Sequence, residues 1–255
     1  MLTSYLNATQ RLLQNPKAPT ALYSPDDLTV YINTARGQLA GEAECVRFLG
    51  ALTLTPGTRN YDFSSISTGV SVSNGIQGVI NVRQALYISG SGYKIITSRP
   101  WEWFMQYNLN VVAPASGAPV TWSQFGQGAA PGTTGSGGSG SLYLDPIPDQ
   151  AYTLALDCVC YPNALAADAD VEAIPYLWTD AVPFFAAYYA LLSAQTQARQ
   201  GDAERMYNHY AKFVERGRTA ANPSTLRYQY SQAGDPAQAN KLGISKAAGG
   251  QPGGA

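Results

Sequence analysis

Residues 152–161 read YTLALDCVCY, a run that predicts a β-strand. The alternating series from Tyr152 to Cys160 carries only Tyr, Leu and Cys, and the positions between its members carry Thr, Ala, Asp, Val and Tyr. Since successive side chains of a strand point to opposite faces, both faces of this strand are expected to be largely covered. The run therefore predicts a strand that lies inside the protein rather than on its surface.

The β texture extends from this strand back to about Val46. Residues 46–162 are rich in Thr, Val, Ile, Tyr, Gly, Pro and Ser and show short alternating runs. We expect further strands at residues 52–55, 58–63, 78–88, 92–97, 120–125 and 141–145. A short helix-like or coiled segment follows Pro100, and the Gly/Ser/Thr-rich tract from Gly126 to Gly140 is expected to be a mobile loop.

Helical periodicity marks both sides of the β region. Apolar residues from Leu2 to Leu13 recur at helical spacing, and Ser24-Pro25-Asp26-Asp27 is typical of a capped helix start with acids in the first turn. After residue 172 an apolar stripe with spacings of four, three, four and three consists of Trp178, Val182, Phe185, Tyr189 and Leu192. A last helix follows Gly201-Asp202, and the two C-terminal helices are expected to pack antiparallel.

Together these patterns predict an α+β protein. We expect a helical bundle formed by the N- and C-terminal segments, with a long antiparallel β domain inserted between them. The predicted segments are 1–45 and 166–222 for the two parts of the bundle, 46–165 for the β-rich insertion, and 223–255 for an extended or disordered tail.

The composition favours contact surfaces over charge-driven binding. Only 13% of the 255 residues are charged, and the net charge is −1. Such a chain offers little support for sequence-specific binding to DNA, which needs a basic patch. The most apolar stretch, residues 181–192, is shorter than the roughly 20 residues needed to cross a bilayer and contains Pro183, so we predict a buried helix and no membrane partner.

The residues needed for common catalytic and metal sites are sparse. His209 is the single histidine, and it is predicted to be a solvated side chain of the last helix, which disfavours triad chemistry. Cys158 and Cys160 are predicted to be small strand residues, since no second ligand pair accompanies them. The chain is therefore predicted to hold no metal and no cofactor.

Three further patterns, two of acidic residues and one of glycines, resemble known binding or catalytic sites. Asp168, Asp170 and Glu172 begin like a calcium loop but lack its glycine and its final glutamate, so they are interpreted as a polar lead-in to the next helix. The G-x-G-x-x-G match at residues 135–140 lies in low-complexity sequence without a following helix. A catalytic carboxylate pair stays open, and its candidates in the β region are Glu102, Asp145, Asp149 and Asp157.

Aromatic residues are the more informative signal. The chain has 17 tyrosines, and Trp101, Trp103 and Trp122 lie in the β region. Tyrosine and tryptophan provide large, rigid contact areas at interfaces, although an aromatic-rich core would also explain them. We predict a partner interface that includes these tryptophans together with Leu226, Tyr228 and Tyr230 of the C-terminal segment.

A longer stretch of the chain resembles a known family. The run LYLDPIPD at residues 142–149, the strand that follows it, Tyr161-Pro162, and Ile174-Pro175 leading into the Ala/Tyr-rich helix resemble phage head-to-tail adaptor proteins of the tail tubular protein A type. The resemblance extends over about residues 24–218. It implies a structural virion protein without catalytic residues, made in the host cytoplasm and located at the head-tail junction.

The same resemblance implies the partners. It indicates a ring of about 12 copies beneath the portal protein, joined by head-to-tail contacts that close by rotation. The ring would connect the DNA-filled head to the tail or nozzle protein, and double-stranded DNA would pass through it without sequence-specific binding.

Two other classes of function stay open. One is a β-rich carbohydrate- or host-binding module of a phage tail, in which the three tryptophans would be exposed together in one concave site. The other is an enzyme of the carboxylate-pair type, which needs two acids about 5–9.5 Å apart in one cleft. Four helices around the β segment favour the adaptor over the simple binding module.

Overall fold

The computed structural model describes residues 1–15, 21–66, 74–89, 92–107, 115–126, 140–193 and 199–221. The predicted C-terminal tail and the interior of the predicted glycine-rich loop lie outside these ranges. The helices are α1 Leu2–Leu12, α2 Pro25–Ala43, α3 Trp101–Tyr107, α4 Ala181–Ser193 and α5 Gln200–Ala221. The strands are β1 Arg47–Thr53, β2 Asn60–Asp62, β3 Ile76–Ser89, β4 Gly92–Ser98, β5 Thr121–Phe125, β6 Ser141–Asp145 and β7 Thr153–Pro162.

The described strands form one seven-stranded mixed sheet. Its order is β1-β7-β3-β4-β5-β6-β2, and every pairing is antiparallel except the parallel pair β4–β5. Register shifts interrupt the pairing of β3 with β7 at three places. Such bulges increase the local twist, and the sheet curls into a half-barrel.

Strand β7 is the internal strand that its sequence predicts. It pairs with β1 on one side, where Leu52 faces Leu154, and with β3 on the other, where Val82 faces Cys158. Leu154, Leu156, Cys158 and Cys160 of one face are fully buried, and on the other face Val159 is fully buried while its neighbours are partly buried, so both faces are largely covered.

Helix α2 covers one face of this strand. Ser24 accepts a hydrogen bond from the Asp27 amide, and Asp27 accepts one from the Ser24 amide, so the predicted cap is confirmed as a full capping box with Pro25 in the first turn. The helix packs on β7, and Ile32 and Leu39 are buried in the same hydrophobic cluster as the strand residues.

The predicted architecture, a helical bundle with an inserted antiparallel β domain, is wrong. Ile32 of α2, Leu154 of β7 and Phe185 of α4 belong to one cluster of buried residues that includes both helices and strands. Helix α2 packs directly on β7, whose buried leucines and cysteines belong to the same cluster as the helix residues. The parallel pair β4–β5 also makes the sheet mixed rather than antiparallel. The division into segments 1–45, 46–165, 166–222 and 223–255 stays a prediction.

Helices α4 and α5 form the expected antiparallel pair. Ring centroids of Phe185 and Tyr210 lie 4.5 Å apart, and those of Tyr188 and Tyr207 lie 5.2 Å apart, so earlier residues of α4 meet later residues of α5. Gly217 of α5 lies directly against the indole of Trp178, where a Cβ atom would come within 1.1 Å of a ring carbon. The glycine therefore lets the last turns of α5 approach the turn that precedes α4.

A buried ion pair ties α2 to the chain before α4. Arg36 is fully buried, and its guanidinium donates to Glu172 at 2.7 Å and to the carbonyl oxygen of Asn163 at 2.6 Å. Glu172 also accepts a hydrogen bond from the amide of Ile174. The pair holds this loop against α2 a few residues before the turn Tyr176–Trp178.

Candidate interaction surfaces

Among the large apolar residues that the structure describes, Tyr176 and Leu177 are the most exposed, with exposed fractions of 84% and 83%. They belong to a short 3-10 turn, Tyr176–Trp178, that begins after Pro175. The carbonyl oxygen of Tyr176 accepts hydrogen bonds from both the amide and the hydroxyl of Thr179, and Trp178 is buried. The buried Trp178 and the hydrogen bonds from Thr179 hold the turn in place, while the side chains of Tyr176 and Leu177 are exposed to solvent. This arrangement is typical of a contact site.

A pocket of about 420 Å³ opens beside this turn. Its walls come from the turn, from the last turns of α5, and from the link between α2 and β1; they include Cys45, Leu177, Trp178, Phe213, Arg216 and Gly217. We call Tyr176, Leu177 and these walls the pocket surface. Burial raises the pKa of the Cys45 thiol to about 12, so the thiol stays neutral at physiological pH and acts as an apolar wall.

The charged groups around the pocket differ in their pairing. Glu44 binds Arg83 at 3.1 Å, and Arg47 binds Asp157 across the β1–β7 pair. Arg216 is exposed and makes no ion pair with any described residue. The pocket surface therefore combines an apolar floor with one unpaired cation at its edge.

A second apolar surface lies on α3 and the β5–β6 pair. The ring of Trp101 lies 4.7 Å from that of Phe125 and 4.6 Å from that of Tyr143. Phe125 and Met105 are about half exposed, and Glu102 is exposed one helical turn before Met105. We call Trp101, Glu102, Met105, Phe125 and Tyr143 the aromatic surface.

The predicted interface residues fall into three groups. Trp101 belongs to the aromatic surface, and Trp103, which lies under the guanidinium of Arg99 at 5.4 Å, is partly exposed on the same helix. Trp122 is 3% exposed and belongs to the main hydrophobic cluster. Leu226, Tyr228 and Tyr230 lie outside the described residues. Contact of any of them with a partner stays a prediction.

The burial of Trp122 bears on the carbohydrate-binding alternative. That hypothesis needs Trp101, Trp103 and Trp122 exposed together in one concave site. Trp122 instead points into the core from β5, which leaves two of the three tryptophans at the surface. The platform that would distinguish this class is therefore not formed in the described structure.

Sequence reasoning missed Tyr176 and Leu177. Both precede Trp178 directly, and neither lies on the helical stripe that runs from Trp178 through Val182 and Phe185. Two large apolar residues that fall off a buried stripe, next to a proline, are the signal that would have identified this turn.

The candidate carboxylates have structural partners. Asp145 pairs with Arg59, Asp157 pairs with Arg47, and Asp149 accepts a hydrogen bond from the hydroxyl of Tyr152. Glu102 makes no ion pair within the described part of the chain. Three of the four acids thus bind neighbouring side chains.

Asp170 and His209, which the sequence analysis also considered, contact neighbouring groups of the fold. Asp170 accepts hydrogen bonds from the amides of Ala166 and Ala167, which lowers its pKa. His209 is exposed, as predicted, and its ring stacks on Phe184 at 5.2 Å. Within the described ranges, His, Cys, Asp and Glu side chains form no group of three or more that could hold a metal ion. None of the described helices is both long enough and apolar enough to cross a bilayer.

Two exposed apolar surfaces, on a chain in which three of the four candidate acids bind neighbouring side chains, are typical of an interaction protein. The sequence model of the SU10 adaptor protein family matches residues 2–237, and the chain belongs to this family. The resemblance to phage head-to-tail adaptors is thereby confirmed, and the chain is a phage structural adaptor that interacts with other head or tail proteins as a virion component. No curated protein matches the chain.

Proposed function

We propose that this chain is a head-to-tail adaptor that forms a ring between the portal protein and the tail or nozzle protein. The observation that carries the proposal is the family match over residues 2–237, which spans all the described elements. The ring has about 12 copies, joined by the same head-to-tail contact repeated around an axis. The protein acts by binding alone, with no catalytic step and no cofactor.

The charge balance agrees with the passage of DNA through the proposed ring. A net charge of −1 over 255 residues gives the chain no overall excess of positive charge that would attract a polyanion. DNA would pass such a wall without being retained. The low charged fraction also suits surfaces that become buried once neighbours and partners are in place.

The test of the ring is a mass measurement of the purified chain, with and without the portal protein of the same phage. We expect an oligomer of about 12 copies that forms alone or on the portal. A chain that stays monomeric under both conditions, at concentrations well above those of the assembly, would contradict the proposal.

The C-terminal segment is proposed to contact the portal or a neighbouring subunit. The segment from Pro223 onward carries Leu226, Tyr228 and Tyr230, which provide apolar and aromatic contact groups for a partner. Deletion of residues 226–255 is expected to weaken portal binding in a pull-down. Unchanged binding by the shortened chain would remove this part of the proposal and leave the ring itself untouched.

A further inference from the structure

A closed ring needs two different surfaces on each copy, because the contact is head to tail. The pocket surface lies at the start of β1, one of the two edge strands, together with α5 and the turn Tyr176–Trp178. The aromatic surface lies on α3, β5 and β6, and the sheet order places β7, β3 and β4 between β1 and β5. The two surfaces share no residue, so one copy can present both at once.

Both surfaces are apolar, and one of them is concave. One is a concave pocket of about 420 Å³ that is lined by the exposed Leu177, and the exposed Tyr176 precedes Leu177 in the same turn. The other presents Met105 and Phe125, each about half exposed, next to the rings of Trp101 and Tyr143. Apolar groups of this size fill pockets of this kind in protein interfaces, with aromatic residues at the centre.

The two surfaces are complementary in charge. Arg216 stands at the pocket and Glu102 stands beside Met105, and neither has an ion-pair partner among the described residues of its own chain. A cation at the edge of one apolar surface and an anion at the edge of the other would meet across a contact. Such edge charges fix the orientation of two partners and disfavour wrong ones.

We propose that the pocket surface of one copy binds the aromatic surface of the next copy, with Met105 and Phe125 at the pocket and Glu102 opposite Arg216. The occupant of the pocket is thus a second copy of this chain. The inference rests on the proposed ring and adds to it the pair of surfaces that joins neighbouring subunits.

Cysteine cross-linking tests which surfaces meet. Leu177→Cys places a thiol on the pocket surface, and Met105→Cys places one on the aromatic surface; both positions are exposed. An equimolar mixture of the two full-length variants, treated with a short bis-maleimide, is expected to give a cross-linked dimer. Each variant alone is expected to stay uncrosslinked, as is the wild type, whose three cysteines are buried.

Charge reversal tests the same contact through assembly. Arg216→Glu and Glu102→Arg each place like charges in the contact, so each variant alone is expected to need an about tenfold higher concentration to assemble. The double variant restores the attraction. An equimolar mixture of the two single variants also restores it, because opposite charges meet at every junction of an alternating ring. Arg205→Glu makes the same charge change on an exposed part of α5 and is expected to have no effect.

The outcomes separate this inference from the function it rests on. A wild-type chain that never self-associates, with or without portal, contradicts the ring and the contact together. A wild-type chain that assembles, while the variants assemble equally well and Leu177→Cys does not cross-link to Met105→Cys, leaves the ring and overturns the pairing. If residues 222–255 filled the pocket of their own chain, their deletion would speed maleimide labelling of Leu177→Cys in the monomer, and the cross-linked dimer would be absent; this result also overturns the pairing.

Discussion

At the scale of single residues, packing requires a glycine at position 217. The indole of Trp178 occupies the space where any Cβ atom at residue 217 would lie. This contact shapes the floor of the pocket, because both residues line it. The position thus accepts glycine for a packing reason, in a helix that would otherwise favour alanine.

Gly217→Ala is expected to destabilise the protein by about 1–3 kcal/mol, because the new methyl group displaces the Trp178 ring or α5. Gly41→Ala is the matched control, since α2 is open at that position and a Cβ atom there meets no atom within 4 Å. The control is expected to stabilise the chain by about 1 kcal/mol through helix propensity. Urea unfolding of both variants measures the difference, and equal midpoints would contradict the packing argument.

Loss of the buried ion pair Arg36–Glu172 is expected to destabilise the protein strongly. Glu172→Gln leaves the fully buried guanidinium without its counter-charge, and the loss of a buried partner costs about 3–5 kcal/mol. The double variant Arg36→Met with Glu172→Met is expected to cost less than Glu172→Gln alone, since no charge is left unpaired. Arg205→Ala breaks the exposed pair with Asp202 and is expected to cost less than about 1 kcal/mol. Denaturant unfolding of the three variants gives these values.

At the scale of the elements, the sequence predicted local structure better than its arrangement. Strand β6 was expected at residues 141–145 and lies there, and the cap at Ser24 has the predicted hydrogen bonds. Both are decided by a few neighbouring residues. The order of strands depends on pairings between distant segments, such as Arg47 with Val159, and alternation along one strand carries no information about its neighbour.

The same limit explains the candidate residues. Alternation could not show that Trp122 faces the core, because Trp122 and Ser123 are adjacent and both are buried in β5. The pocket could not be predicted, because its walls come from three segments that are far apart in the chain. The sequence analysis includes Glu102 among the candidate acids. Its proposed role in the subunit contact rests on the structure, in which Glu102 is exposed and makes no ion pair with a described residue of its own chain.

The stability of the start of α1 is expected to depend on pH through the carboxylate of Asp168. Hydrogen bonds from the hydroxyl and amide of Thr3, and from the N-terminal ammonium, lower the pKa of Asp168 from 3.8 to about 2. Because the folded pKa lies below the unfolded one, the carboxylate holds the start of α1 fully above about pH 4, and this contribution is lost as the pH falls toward 2.

Asp168→Asn is therefore expected to speed amide exchange at Thr3 and Leu6 at pH 6, where the wild-type carboxylate is charged. The difference between the two proteins should shrink as the pH approaches 2. Glu204→Gln removes the same charge from an exposed site on α5 and is expected to leave exchange in α1 unchanged. Hydrogen exchange followed by NMR measures these rates, and equal protection of α1 in Asp168→Asn and wild type would refute the role of this carboxylate.

At the scale of the whole molecule, a shared core has a consequence for unfolding. Leu39 of α2 is fully buried in the cluster that also contains Trp122 of β5 and Leu154 of β7. A bundle with an inserted β domain would have two cores, and each could unfold separately. A smaller cluster of helix residues, which includes Leu28 and Ala190, adjoins the main one. Because the main cluster includes both helices and sheet, the two are expected to lose stability together.

Leu39→Ala is expected to destabilise the helices and the sheet by the same amount, about 2–5 kcal/mol, because it opens a cavity in the common core. Far-UV circular dichroism follows the helices, and in a Trp178→Phe background the tryptophan fluorescence comes from Trp101, Trp103 and Trp122, which lie in or against the sheet. Val30→Ala is the control on the same helix, because Val30 is mostly exposed and its truncation should change stability by less than about 0.5 kcal/mol. A Leu39→Ala protein whose circular dichroism transition moves to lower urea, while its fluorescence transition stays in place, would show two separate cores. Both transitions are expected to shift together only if α2 and the sheet share one core.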